Sequence, residues 1–259
     1  MNQSNPLIIC ENQQGVLRVE ICRPDKKKSL TGPMYTLLAD AFEAAQRDNA
    51  VRVVLIHGQP GAFTAGNDLG DFLDNPPLRE DAPVFRFLTA FRVLSKPFVA
   101  AVCGAAVGVG TTMLLHCDLV YAGDNAKFQL PFVNLGLCPE ASSSLLLPAL
   151  IGHTRAAEIL LLGEAFGAAK ALEIGLVNAV LPAAEVFDHA LAQARKLAAL
   201  PAASVQLTKQ LMKRSHLALI EQTMHEEGLH FRKRLLSPEA KEAFGAFLEK
   251  RKPDFSQFT

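Results

Sequence analysis

Residues 98–117 read FVAAVCGAAVGVGTTMLLHC. The first six residues are apolar, which predicts a buried strand of a parallel sheet. Glycines follow at 104, 108 and 110, and the remaining residues up to 117 predict a helix. Glycine allows backbone conformations that other residues rarely adopt, so this loop can turn a backbone N–H group towards a ligand. The stretch therefore predicts a strand–loop–helix unit of an α/β protein.

The same order of elements appears on both sides of that stretch. Upstream, a short run rich in β-branched residues at 51–57 predicts a buried strand, and it precedes a second glycine-containing loop, AFTAGND, at 62–68. From 184 onward the chain is predicted to be helical, with a break at 200–201. Repeated strand–strand–helix units before a helical tail predict stacked turns of sheet and helix rather than one doubly wound sheet. The other predicted strands are 7–10, 16–21, 119–122 and 128–130, and the other predicted helices are 30–47, 142–150, 154–162 and 168–172.

The composition limits the classes of protein. The chain has 259 residues, 49% of them hydrophobic, which is enough for a large core in one or two domains. Its 26 basic and 26 acidic residues balance, which argues against binding to nucleic acid or to an anionic membrane. No apolar run is long enough to span a bilayer, and the N-terminal residues show no signal-peptide pattern. Five scattered cysteines and seven histidines without metal-binding spacing predict a cytoplasmic protein with no disulfide and no metal site.

A second informative segment, 131–144, reads PFVNLGLCPEASSS. Glu140 is its carboxylate, and the thiol of Cys138 is the other titratable side chain in this run. A carboxylate among apolar neighbours loses hydration, so we expect the pKa of Glu140 to rise into the range useful for proton transfer at neutral pH. A lone base and two loops able to stabilise an oxyanion predict proton abstraction next to a carbonyl group.

Each of these features also has a structural interpretation. Glycine loops are typical of ordinary strand–helix turns, and an acidic residue after Pro139 is favoured at the start of a helix. Asp68 is predicted to cap the helix after the first loop rather than to bind a metal ion. The serines at 142–144 lack the G-x-S-x-G pattern of serine hydrolases.

The order of these motifs resembles the crotonase superfamily, which contains the enoyl-CoA hydratases and isomerases. The resemblance implies an α/β fold built as a spiral of ββα turns, with a core at 1–200 that holds the CoA and active sites. It implies a helical region at 201–259 for trimerisation and active-site cover. It also implies an acyl-CoA thioester as substrate, no other cofactor, and a homotrimer or a dimer of trimers. The matching positions extend over essentially the whole chain, at 23–24, 62–68, 104–110, 117–118, 121–122, 128, 135–136, 171–177 and 247–251.

The sequence departs from the hydratases at two positions. Thr112 and Phe132 stand where hydratases carry glutamates, and neither side chain acts as an acid or base at neutral pH. The pairs at 131–132 and 135–136 and the run at 139–143 resemble the Δ3,Δ2-enoyl-CoA isomerases of the peroxisomal type instead. This resemblance implies that Glu140 takes a proton from C2 of a 3-enoyl-CoA and returns it to C4, in the β-oxidation of unsaturated acyl chains.

The resemblance implies roles for other residues. The backbone N–H groups of Asn67 and Val109 are the implied oxyanion donors, and Phe72, Thr112 and Phe132 border the implied substrate pocket. Two of the implied CoA contacts have structural alternatives. A lysine run is usually a solvated loop, and the positions at 247 and 250 also suit a helix with a buried Phe and an exposed Lys. The implied CoA-binding residues are Lys26, Lys27, Lys28, Ala65, Phe247 and Lys250.

Other functions compatible with this superfamily are hydration, thioester hydrolysis and decarboxylation of acyl-CoA, or a non-catalytic CoA- or RNA-binding scaffold. The balanced charge argues against RNA. The presence of a glutamate at 140, in an apolar setting, argues against a catalytically inactive site.

Overall fold

The computed structural model describes residues 7–23, 29–59 and 61–258. The strands there are β1 (Ile8–Gln13), β2 (Val16–Ile21), β3 (Val53–His57), β4 (Ala62–Thr64), β5 (Phe98–Val102), β6 (Ala105–Val107), β7 (Leu119–Gly123), β8 (Lys127–Gln129), β9 (Phe166–Gly167) and β10 (Ala179–Leu181). The helices are α1 (Gly32–Arg47), α2 (Leu69–Asp74), α3 (Pro83–Arg92), α4 (Val109–Thr112), α5 (Ser143–Ile151), α6 (His153–Leu162), α7 (Ala168–Glu173), α8 (Val186–Ala199), α9 (Ala202–Lys213), α10 (Leu217–Leu235) and α11 (Pro238–Leu248). Met113–His116 and Val133–Leu135 form 3₁₀ turns.

The strands form two sheets. The larger has the order β1-β2-β3-β5-β7-β10 and is parallel except for the β1–β2 hairpin. The smaller has the order β4-β6-β8-β9, and its antiparallel pair is β8–β9. The consecutive pairs β3–β4, β5–β6 and β7–β8 each place one strand in each sheet, so the chain completes one turn with each pair. The predicted spiral of stacked turns is confirmed.

An aromatic cluster packs α1 and α3 against the larger sheet. Phe42 of α1 lies edge-to-face with Phe87 of α3 and with Phe98 of β5, at ring-centroid distances of 5.4 and 5.0 Å. Phe91 meets Phe87 in the same way at 5.1 Å. All four rings are buried, and burial of each contributes roughly 1.5–3 kcal/mol. The cluster fixes the position of α1, and α1 carries Tyr35, which belongs to the candidate active site.

Several local predictions are wrong, for reasons that lie in the tertiary structure. The predicted helix at 109–117 is α-helical for Val109–Thr112 and then tightens into the 3₁₀ turn. The chain must turn back there, because Asp118 pairs with Phe98 through its N–H group and its carboxylate at 2.7 Å each. The strands β4 and β6 lie inside predicted loops, since three residues are too few to show an alternating pattern. Residues 249–258 are not helical, although the tail was predicted to be helical throughout.

One helix, α3, lies where no helix was predicted. It begins at Pro83, at the end of a segment that contains prolines at 76 and 77, and a proline-containing run indicates a loop more than a helix. None of the helices in the described part of the chain is long and apolar enough to cross a membrane.

Candidate active site

The predicted base lies in a strained turn before α5. Glu140 is 5% exposed, and its backbone carbonyl accepts hydrogen bonds from the N–H and hydroxyl groups of Ser143 at 3.0 and 2.7 Å. The next two residues, Ala141 and Ser142, both have a φ of 57°, a left-handed conformation that costs roughly 1–2 kcal/mol for a residue other than glycine. His116 Nε2 contacts the carbonyl of Ala141 at 2.7 Å, which helps to hold the turn.

Burial dominates the electrostatics of Glu140. Loss of hydration and then the neighbouring carboxylate of Glu227 raise the pKa of the Glu140 carboxyl, the hydroxyl of Thr112 lowers it, and the net result is a pKa of about 8. Among the described residues, however, neither Glu140 Oε1 nor Thr112 Oγ1 has a hydrogen-bond partner of standard geometry. Leaving a buried acceptor unpaired is costly, typically about 1–3 kcal/mol. A carboxyl group in this state has the proton affinity of a general base that works near neutral pH.

The two glycine loops lie side by side beyond the carboxyl ends of the parallel strands β4 and β6. Gly66 has a φ of +83°, and a Cβ atom there would lie 2.7 Å from the carbonyl oxygen of Val107, so the loops touch at this point. In the described part of the chain, the N–H groups of Asn67 and Val109 donate no backbone hydrogen bond, whereas the adjacent Asp68 and Gly108 do. Among the described residues, the two amides predicted to stabilise an oxyanion therefore have no backbone acceptor.

Tyr35 is a residue that the sequence analysis missed. It is fully buried in α1, and its hydroxyl donates to the side-chain oxygen of Asn67. Burial and then the charge of Glu140 raise the pKa of Tyr35 well above its ordinary value. Tyr35 therefore connects the first glycine loop to the surroundings of Glu140. Its position within a helix of apolar periodicity made it indistinguishable from a core residue.

The first loop is fixed by an ion pair. Arg23 donates to Asp68 Oδ2 at 2.7 Å, and Asp68 Oδ1 accepts from the N–H group of Asp71 at 3.2 Å. The predicted role of Asp68 as the cap of α2 is confirmed. Guanidinium and backbone donors lower the pKa of Asp68 against the effect of burial, so the capping carboxylate stays ionised.

Two of the predicted pocket residues, Thr112 and Phe132, are buried, and Thr112 faces Glu140. The third, Phe72, is also buried and lines a cavity of about 1060 Å³ together with Tyr35, Leu78 and Val84.

The predicted CoA-binding residues are spread over three regions. Lys26, Lys27 and Lys28 lie outside the described residues, and Ala65 lies in the first glycine loop beside Gly66. Phe247 is 62% exposed at the end of α11, so the alternative interpretation as a buried Phe is wrong. Lys250 follows with a φ of 56° and is exposed, as both interpretations predicted.

Within residues 7–23, 29–59 and 61–258, no three His, Cys, Asp or Glu side chains lie close enough together to hold a metal ion. In this part of the chain, the candidate site contains the buried carboxyl group of Glu140, with Glu227 nearby, and the N–H groups of Asn67 and Val109, which donate no backbone hydrogen bond.

Comparisons with known proteins show the family of the chain. Residues 11–258 match the enoyl-CoA hydratase/isomerase family. The chain is 34% identical over 257 residues to enoyl-CoA delta isomerase 2 of Rattus norvegicus, covering 97% of this chain and 65% of that protein. It is 32% identical over 251 residues to 2,3-dehydroadipyl-CoA hydratase of Escherichia coli K12, covering 96% and 98% of the two chains. The structure of Pseudomonas aeruginosa OdaA matches with a TM-score of 0.92 at 48% identity, covering 94% of this chain and 99% of that one.

The chain belongs to the enoyl-CoA hydratase/isomerase family, as its motifs predicted, and has the crotonase fold. A hydratase and an isomerase are similar to it at nearly equal identity, so identity alone does not separate the two reactions.

Proposed function

We propose that this enzyme isomerises 3-enoyl-CoA to 2-enoyl-CoA, with Glu140 as the single base and the N–H groups of Asn67 and Val109 as the oxyanion hole. The observation that carries the proposal is the buried, unpaired Glu140 Oε1 beside Thr112. The positions at 112 and 132, where the hydratases carry glutamates, hold side chains that cannot transfer protons at neutral pH. A single base supports a proton shift better than the addition of water.

In this reaction one base carries out two proton transfers. The carboxylate of Glu140 takes a proton from C2 of the substrate, and the electron pair of that C–H bond enters a dienolate whose negative charge lies partly on the thioester oxygen. Two preorganised N–H donors stabilise that oxygen by roughly 3 kcal/mol each. Glu140 then returns its proton to C4, which leaves the double bond between C2 and C3. Protons and electrons balance without a further cofactor.

The acyl chain and the CoA portion of the substrate are proposed to lie on opposite sides of the turn that carries Glu140. The cavity of about 1060 Å³ that Phe72 lines would take the acyl chain. The CoA portion would contact Ala65 and the lysines at 26–28, and Phe247 and Lys250 would contact CoA from this subunit or a neighbouring one. An exposed aromatic side chain such as Phe247, at 62%, is suited to cover a ligand.

A homotrimer or a dimer of trimers is proposed as the assembly, with the helical region at 201–259 as its contact surface. Supporting this, α9 exposes Leu207, Leu211 and Met212 by 54%, 51% and 66%. Exposed apolar side chains clustered on one helix are typical of a protein–protein interface.

Hydration of 2-enoyl-CoA is the second candidate, because the 2,3-dehydroadipyl-CoA hydratase is 32% identical to this chain. Hydration needs a group that activates water in addition to one that manages the α-proton. Thr112 and Phe132 do not supply that group.

Product analysis separates the two candidates. We expect the enzyme to convert 3-enoyl-CoA into conjugated 2-enoyl-CoA, followed by thioester absorbance, and to form no 3-hydroxyacyl-CoA from 2-enoyl-CoA. With substrate deuterated at C2, part of the label should appear at C4, because one carboxyl group carries it between the two carbons. Formation of 3-hydroxyacyl-CoA from 2-enoyl-CoA as the main reaction would identify a hydratase and exclude the proposal.

The pH profile provides an independent expectation. Below its pKa of about 8, Glu140 holds a proton and cannot accept another, so kcat/KM should rise with pH and level off above about 8. Initial rates at low substrate concentration between pH 5.5 and 9.5 measure this midpoint. A profile that is flat across pH 6 to 9 would contradict the raised pKa.

A further inference from the structure

The serine run at 142–144 is held by a carboxylate from a distant helix. Glu227 of α10 accepts hydrogen bonds at Oε2 from the N–H group of Ser142 at 2.6 Å and at Oε1 from the N–H group of Ser144 at 3.0 Å. The hydroxyl of Ser144 also donates to Oε1, at 2.5 Å. Ser142 itself provides no side-chain cap for α5, so Glu227 takes the place of the missing N-cap. An anion at this helix start is favoured by the helix dipole.

Helix α10 contacts the chain on both sides of Glu140. Before it, the thiol of Cys138 lies 3.9 Å from the backbone carbonyl of Glu227. After it, the hydroxyl of Ser142 donates to the backbone carbonyl of Ile220 at 2.8 Å. These contacts flank the two residues with a φ of 57°, a conformation that persists where the surroundings enforce it. The position of the Glu140 carboxyl therefore depends on α10.

The carboxyl groups of Glu140 and Glu227 are both buried, but they differ in the number of hydrogen-bond donors that contact them. Glu227 is 7% exposed and accepts the three hydrogen bonds described above, whereas Glu140 Oε1 has no partner among the described residues. Hydrogen bonds to a carboxylate favour its ionised form, so the negative charge of the pair lies on Glu227 and the proton on Glu140. Burial raises the pKa of both groups, but the donors oppose this effect at Glu227.

We propose that Glu227 is a positioning residue for the reaction, acting on Glu140 through the turn at 140–144 and through its negative charge. This inference rests on the proposed function, in which Glu140 is the base. Glu227 fixes where the carboxyl of Glu140 lies, and it keeps Glu140 a stronger base than burial alone would make it.

Three titratable groups close to the pair, Tyr35, Cys138 and His116, do not change charge near neutral pH. Burial raises the pKa of Tyr35 well above its ordinary value, raises that of Cys138 to about 11, and lowers that of His116 to about 4. Those three groups therefore stay uncharged between pH 6 and 9. The basic residues that act on Cys138 or His116 are Arg234, Arg92, Lys213 and Lys209. Burial lowers the pKa of Lys209 to about 8, so its charge also changes in the pH range of the test.

The test compares Glu227→Gln, which removes the charge and keeps the shape, with Glu227→Asp, which keeps the charge and shortens the side chain. We expect Glu227→Gln to move the midpoint of kcat/KM about one unit towards lower pH and to lower the plateau kcat by about tenfold, with KM within a factor of about two. Glu227→Asp should lower kcat while the midpoint stays near that of the wild type. Glu226→Gln is the matched control, because Glu226 is exposed on the same helix and its carboxylate accepts from Gln222 at 3.0 Å.

Two results would overturn the inference. One is a Glu227→Gln variant with the kcat and pH midpoint of the Glu226→Gln control. The other is an equal fall in kcat for both Glu227 variants with neither midpoint moved, which is what a purely structural role predicts. If Glu227→Gln does not fold, Ser144→Ala removes the hydroxyl donor and leaves both carboxyl groups in place. That variant should lower kcat by about threefold or more at constant KM, and an unchanged kcat would contradict the inference.

Failure of the proposed function is distinguishable from failure of this inference. An enzyme inactive on 3-enoyl-CoA would refute the function, but the proton on Glu140 is still observable without turnover. The infrared band of the protonated carboxyl that Glu140→Gln abolishes should titrate at lower pH in Glu227→Gln. A band that titrates as in the wild type would refute the inference alone, even where the isomerase activity is confirmed.

Discussion

Glu140→Gln is expected to lower kcat for the isomerisation of 3-enoyl-CoA by ~10² or more. Glutamine keeps the shape of the side chain in its 5% exposed position, but it cannot take the proton from C2 or return one to C4. Because the change affects the chemical step, we expect KM to stay within a few-fold of the wild type. Steady-state assays of thioester absorbance, at several substrate concentrations and at a pH above 8, measure both constants.

The control for this substitution is Glu164→Gln. Glu164 is exposed in the connection between α6 and β9, so the same chemical change there should leave kcat unaltered. Thermal melting of both variants checks that each has kept its fold. A Glu140→Gln variant that isomerises 3-enoyl-CoA at the wild-type rate would eliminate Glu140 as the base, and the reaction would then belong to another acyl-CoA activity of the family.

Gly66→Ala is expected to have a comparable effect through the oxyanion hole. The φ of +83° is strained for alanine, and the added Cβ would meet the carbonyl oxygen of Val107 at 2.7 Å, which is backbone and cannot rotate away. The loop must shift, and the neighbouring N–H group of Asn67 moves from the position where it would contact the thioester oxygen. Loss of one such donor lowers kcat by about 10²–10³.

Gly70→Ala is the matched control for the glycine substitution. Gly70 lies in α2, four residues further on, and a Cβ there would have Asp68 Oδ1 as its nearest atom at 3.4 Å, an ordinary contact. It should leave kcat unchanged and add some helix stability, because alanine favours the helix over glycine by roughly 1 kcal/mol. If Gly66→Ala folds with the kcat of Gly70→Ala, then the amide of Asn67 is not an oxyanion donor.

The candidate site was predictable where its residues carry a local signal. Glu140 was recognisable because it is the carboxylate of an apolar run, and burial alone is enough to raise its pKa. The glycines at 66 and 108 marked the loops, and both have positive φ angles. Tyr35 and Glu227 had no such signal, since a tyrosine on the apolar face of a helix and a glutamate in a charged helix are each ordinary there. Their contacts, with Asn67 and with Ser142 and Ser144, join residues 32 and more than 80 positions apart.

Short sequence patterns were enough to predict the repeated strand and helix units, the buried carboxyl group of Glu140 and the two glycine turns, because periodicity, hydration and backbone freedom are properties of short segments. The tertiary structure alone decided the rest. It paired the three-residue strands β4 and β6 so that the two loops meet, and it ended α4 after Thr112 so that the chain can return to the sheet. It also brought α10 to the turn that carries Glu140. These features depend on contacts between segments that are far apart in the chain. In each case, the packing of one segment determines the conformation of the segment that it contacts.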